Sequence, residues 1–221
     1  RGDRPDLRGG RGRVPRGAGV TMAAETTRPE DALAGLAAQL RDEGPVIAAH
    51  VAETAEAPAL GLLVAAGPRC AEDPGGYAAV VELVREGYLC HYREPRLLGR
   101  LDADLRLLVG DHLYARGIEK LALLGDLLAV AELSDLISTA AQLDADPGAD
   151  PAAPEIAWLA ATVAIAAGAG DPHREAKATL RDSGDPVPLW SAAAERAERA
   201  GLSEQLSLAS EAVGFAAPNR G

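Results

Sequence analysis

Ala79-Val80-Val81-Glu82-Leu83-Val84-Arg85-Glu86-Gly87-Tyr88-Leu89-Cys90-His91 leads into Tyr92-Arg93-Glu94-Pro95-Arg96, and shortly after comes Leu107-Leu108-Val109-Gly110-Asp111-His112-Leu113-Tyr114-Ala115-Arg116. The first stretch is mostly apolar and predicts a helix over residues 77–92. Pro95 ends it, because a proline disfavours helical geometry at the residue before it, here Glu94. Beyond the break, Leu98, Leu101, Leu105 and Leu108 recur at intervals of three and four, and Leu113, Ile118, Leu121 and Leu124 extend a second helical stripe. Gly125-Asp126 closes that element, and Leu127, Val130, Leu133, Leu136 and Ile137 open another.

Upstream, a helix is expected from a Thr27 cap, with Pro29 in its first turn, Leu33, Leu36, Ala37 and Leu40 on its apolar face, and Gly44-Pro45 as its stop. Further helices are expected over 46–56 and 58–66, followed by a loop over 67–76. Downstream, residues 144–154 hold four Pro or Gly and three Asp, and read as an internal linker. An Ala-rich helix over 156–167, a polar helix or turn over 173–181, a turn over 183–188 and one or two helices over 189–215 complete the chain. Gly201 is the expected break in that last region, and residues 216–221 form a frayed tail.

The composition agrees with an all-α fold. Hydrophobic residues make up 48% of the 221 positions but aromatics only 3%. The core must therefore come from Ala, Leu and Val, and Ala and Leu lose little side-chain freedom in a helix. Alternation of the strand type is missing almost everywhere. Residues 1–21 carry six Arg against Asp3 and Asp6 and are read as a disordered Arg/Gly-rich arm. Two readings of the arm stay open: a native extension, or sequence ahead of a native start at Met22. Residues 22–215 form the expected single helical domain.

The net charge of −11, with +4 in residues 1–21 and so −15 from Met22 onward, argues against a nucleic-acid partner. No apolar run is long enough for a membrane span. Cys70 and Cys90 lack disulfide or metal-type spacing, which points to buried thiols and a cytoplasmic location.

The quoted segments resemble the trans-isoprenyl diphosphate synthases, the polyprenyl synthetase family. In that family a Val-Glu-Leu-x-x-x-x-x-Leu-x-His helix runs directly into an aspartate-rich motif. Val81-Glu82-Leu83 and Leu89-Cys90-His91 are similar to it. Leu108-Val109-Gly110-Asp111-His112-Leu113-Tyr114-Ala115-Arg116 resembles a later family segment, Leu124-Gly125-Asp126 also has its usual place, and the likeness covers about residues 55–168. The resemblance implies a truncated isoprenoid-synthase-like helical bundle. It also implies that Mg²⁺-binding carboxylates belong at residues 92–96, since a hard cation that neutralises a diphosphate needs clustered oxygen ligands.

Tyr92, Arg93, Glu94, Pro95 and Arg96 offer one carboxylate between two guanidinium groups. No second aspartate-rich motif follows, and Ala161 stands where a diphosphate-binding Lys is expected. The expectation is a non-catalytic protein without a cofactor, acting as a subunit or regulator of an active prenyl synthase, or self-associating. The alternatives are metal-independent binding of an anionic isoprenoid or other ligand, with Arg93, Arg96 and Arg100 (and Arg106) as the anion-binding surface, or an active enzyme with a divergent site.

The remaining candidates are read as structural. His50, His91, His112 and His173 are scattered, whereas a metal site needs several ligands in reach. Asp111 is expected to bond within a helix junction. Residues 67–76 lack the Lys-Ser/Thr of a phosphate loop, and Ser183 and Ser191 have no evident base.

Overall fold

The computed structural model describes residues 28–216. The Arg/Gly-rich arm, the expected Thr27 cap and residues 217–221 of the tail lie outside the described residues. Those residues form an all-α fold of ten helices: α1 (Ala32–Asp42), α2 (Pro45–Ala48), α3 (Ala59–Ala65), α4 (Pro74–Tyr92), α5 (Ala103–Leu124), α6 (Leu127–Ala145), α7 (Ala153–Ala167), α8 (Asp171–Ser183), α9 (Val187–Ala200) and α10 (Ser203–Ala212).

Two helices form the centre. Every residue of α4 from Val80 to Cys90 is buried, including Glu82, Arg85 and Glu86. A helix that is apolar nearly all round has no face to give to water, so it is covered on all sides. Around α4 pack α1, α3 and α5. Nearly all of α7 is buried as well, among α3, α6, α9 and α10. Trp158 of α7 is fully buried and meets Tyr88 of α4 with ring centroids 5.4 Å apart. The Arg85 guanidinium lies 5.0 Å from the Trp158 ring and 4.8 Å from the Tyr88 ring.

Glycines set the distance between α4 and α5. A Cβ on Gly87 would stand 2.9 Å from Tyr114 and 3.1 Å from the Gly110 carbonyl, and one on Gly110 would stand 2.6 Å from His91 Nε2. These small residues let the two helix backbones approach closely.

Three expectations need correction. The helix predicted over 46–56 is only the short α2. Beyond it the Ala52 N–H donates to the Leu97 carbonyl at 2.8 Å and the Gly99 N–H to the His50 carbonyl at 2.9 Å, around an isolated bridge between Val51 and Leu98. Pairing with a segment nearly fifty residues away thus displaces helix, and Pro58 disfavours helical geometry at Ala57. The stripe that starts at Leu98 in the sequence becomes helical only at Ala103, where the Asp102 side chain caps α5 by accepting from the Leu105 N–H at 2.8 Å. The residues around 67–76 divide into a 3₁₀ turn (Pro68–Cys70) and the first turn of α4, capped by Asp73. The polar segment near 173–181 is helix α8.

Candidate functional site

The end of α4 is where the resemblance puts chemistry, and Arg96 dominates it. The chain leaves α4 at Tyr92 and turns back, so that the Arg96 side chain, 12% exposed, enters beside α4. Its Nη1 lies 2.8 Å from Glu82 Oε2 and its Nε donates to Glu86 Oε2 at 3.1 Å. Glu82 and Glu86 are one helical turn apart, so both carboxylates share a face of α4. Each accepts a second bond: the Gly61 N–H donates to Glu82 Oε1 and the Leu97 N–H to Glu86 Oε1, both at 2.7 Å. Burial pushes the Glu86 carboxyl above its ordinary value, against the opposing pull of the Arg96 charge and the Leu97 N–H. Burial works to lower the Arg96 guanidinium, but the charges of Glu82 and Glu86 outweigh it and hold it raised. The cluster ties α3, α4 and the segment after Pro95 into one unit.

Neighbouring residues of the pentapeptide have other partners. Arg93 lies 2.6 Å from Asp144, which also accepts from the Tyr88 hydroxyl at 2.8 Å, so this pair joins α4 to the end of α6. Glu94 is 92% exposed and stands 3.5 Å from Arg106. Arg106 donates to the carbonyls of Cys90 at 2.7 Å and Leu89 at 3.3 Å, which satisfies two groups at the C-terminal end of α4. Arg100 is exposed, with φ at +57°, the left-handed region. The proposed anion-binding residues Arg93, Arg96 and Arg100 therefore face three different surroundings: a carboxylate of α6, the buried face of α4, and solvent. They do not form one basic surface. An open concavity of about 720 Å³ does lie at the end of α4, lined by His91, Tyr92, Arg93, Glu94, Arg106 and Leu107 among others.

The histidines occupy separate settings. His91 stacks on Tyr114 with ring centroids 5.2 Å apart and lies 3.2 Å from Asp111. Asp111 is thus an exposed residue within α5 rather than part of a helix junction. His50 Nδ1 is 3.2 Å from the Gly99 carbonyl, His112 pairs with Glu43, and His173 Nε2 is 2.9 Å from Glu132. No group of three His, Cys, Asp or Glu able to hold a metal ion occurs among the described residues. Burial pushes the Cys70 and Cys90 thiols up to about 12, which opposes thiolate chemistry. Ser183 donates to the Thr179 carbonyl at 2.8 Å, within its own helix. No helix among the described residues is long and apolar enough to cross a membrane.

Sequence reasoning misses Glu82 and Glu86 as the buried partners of Arg96. The signal that could have found them is two carboxylates four residues apart in a largely apolar helix, which demand cations close by; the structure commits Arg85 to Glu155 and leaves Arg96 to them. A comparison with models of known protein families, with curated proteins and with solved structures finds no match.

Proposed function

We propose that this protein is a non-catalytic relative of the isoprenyl diphosphate synthases that works as the partner subunit of an active prenyl synthase. The observation that carries the reading is Arg96. Where the resemblance calls for a row of carboxylates open to metal and diphosphate, a guanidinium turns inward and is held by Glu82 and Glu86. The carboxylate left in the pentapeptide, Glu94, is a solvated single charge. A lone carboxylate beside Arg93 and Arg106 is a poor ligand set for Mg²⁺.

Association is supported by the outer side of α5 and the start of α6. Leu108, Leu123 and Leu127 are 66%, 83% and 76% exposed. Leu123 and Leu127, with Leu128 at 72% exposure, flank the Gly125 turn between α5 and α6, and large apolar side chains that lie together mark contact surfaces more often than scattered ones do. The buried half of α5 serves α4, which leaves this side free for a second chain.

The test is capture of the host's prenyl synthases on the purified full-length protein, followed by product analysis of the mixture. Recovery of a synthase and a changed product chain length are expected. Failure to recover one, with product length unaltered on mixing, would overturn the proposal.

A further inference from the structure

We propose that the groove between α6, the C-terminal end of α7 and α8 binds a small molecule that carries a phosphate monoester head on a hydrocarbon segment. The groove encloses about 480 Å³, inside the range of roughly 300–1,000 Å³ common for small-molecule sites. Its apolar part consists of Leu128, Ala131, Ala164 and Ile165. Leu128 is 72% exposed, a large apolar side chain left in water at the rim.

The polar part is mainly basic. Arg174, Lys177 and Arg181 follow one another along one face of α8 at helical spacing, and Arg69 enters from another side. Arg69 is held by both oxygens of Asp126, and Lys177 by Glu132 and Asp135, so the cations left for an anionic head are Arg174 and Arg181. Two guanidinium groups match a dianionic head.

Two of the cations are free to turn. Arg174 pairs with Asp171 in its own helix, with side chains 63% and 78% exposed, a kind of pair that contributes little. Arg181 is 41% exposed and shares Asp135 with Lys177. When Arg174 and Arg181 swing onto an incoming phosphate, Lys177 stays between Glu132 and Asp135, so neither carboxylate is left bare. Guanidinium groups suit this head because they donate two parallel hydrogen bonds to phosphate oxygens.

A second feature lies at the end of α7. Arg196 donates to the Ala167 carbonyl, while its Nε is buried without a hydrogen-bond partner. Beside it is Gly168, which lines the groove at φ +93°, and a Cβ there would stand 3.2 Å from Arg196 Nη2.

This site is separate from the end of α4 and from the leucines on α5, so it stands or falls independently of the subunit reading. Calorimetric titration of the full-length protein with octyl phosphate, inorganic phosphate and octanol tests it. Octyl phosphate is expected to bind saturably and at least about ten-fold more tightly than inorganic phosphate, a difference of about 1.4 kcal/mol. Arg174→Gln with Arg181→Gln is expected to weaken it by about ten-fold or more. Leu128→Glu, at an exposed position that tolerates substitution, is expected to weaken it likewise. No heat with octyl phosphate, equal binding of octanol or of inorganic phosphate, or unchanged affinity in Leu128→Glu would overturn the proposal.

Discussion

Arg96 Nη1 lies 2.8 Å from Oε2 of Glu82, a carboxylate with no exposure to solvent. Removing the cation leaves Glu82 and Glu86 uncompensated in the interior. Arg96→Met is therefore expected to cost about 3–5 kcal/mol, read as a lower urea midpoint. The triple variant with Glu82→Gln and Glu86→Gln keeps acceptors for the Gly61 and Leu97 N–H groups while removing the charges. It should recover more than half of the loss, and a triple variant as unstable as the single one would contradict this account.

Close approach at Gly67 yields a second expectation. This residue has an ordinary negative φ, but a Cβ on it would collide with the side chain and carbonyl of Ala166 in α7. Backbone cannot give way as a flexible side chain does, so Gly67→Ala should destabilise by about 1–3 kcal/mol. Gly99, with nothing within 4 Å of its Cβ position, is the control. Thermal melting of the two alanine variants decides the point.

Acid should loosen the α6–α8 contact. Burial works to raise the carboxyls of Glu132 and Asp135, but the hydrogen bond from His173 to Glu132 and that from Lys177 to Asp135, with the charges beside them, outweigh it and hold both below 4.5 and 3.8 respectively. The unfolded chain thus takes up these protons first as the pH falls. Their contribution is complete above the ordinary carboxylate range and is lost as the pH drops through it towards the folded values. The melting temperature should fall between about pH 5 and pH 3, and Lys177→Met should lower it at pH 7 and flatten the dependence. Glu86, raised by burial, acts in the opposite sense and loses stabilisation as the pH rises past 4.5.

The thiols should be silent in the native protein. Cys70 and Cys90 have no exposure and both are pushed up to about 12. A disulfide reagent at pH 8 should modify neither until urea unfolds the chain. Prompt labelling under native conditions would show local opening, of α4 for Cys90 and of the 3₁₀ turn before it for Cys70.

On the outer side of α5, Leu108→Glu with Leu123→Glu should leave stability within about 0.5 kcal/mol for each site, as exposed substitutions do. The same variant should lose any captured synthase. Undiminished capture would move the contact away from this surface.

Much of the helical framework is legible in the sequence. The apolar runs of α4 and α7 lack a solvent face, and the periodic leucines of α5 and α6 require helices there, although α5 begins only at Ala103. Gly125 and Gly201 mark breaks because both adopt left-handed backbone, with φ of +75° and +73°. The segment at 46–56 is not legible, because its competitor, the backbone around Leu97, lies too far along the chain for any local pattern to register. The pentapeptide carries a single carboxylate between two arginines, but nothing in its five residues announces the inward course of Arg96.

The sequence by itself determined that the chain is helical, where most helices begin and end, and that residues 92–96 cannot supply a row of carboxylates. Composition and period suffice for this, since both act over a few turns. Only the tertiary structure decided that Arg96 joins Glu82 and Glu86, that Arg93 belongs to Asp144, and that Arg174, Lys177 and Arg181 face an apolar groove across from α6. Each of those depends on which helices pack together, and a charge declares its partner only when the chain has brought the two into the same low-dielectric surroundings.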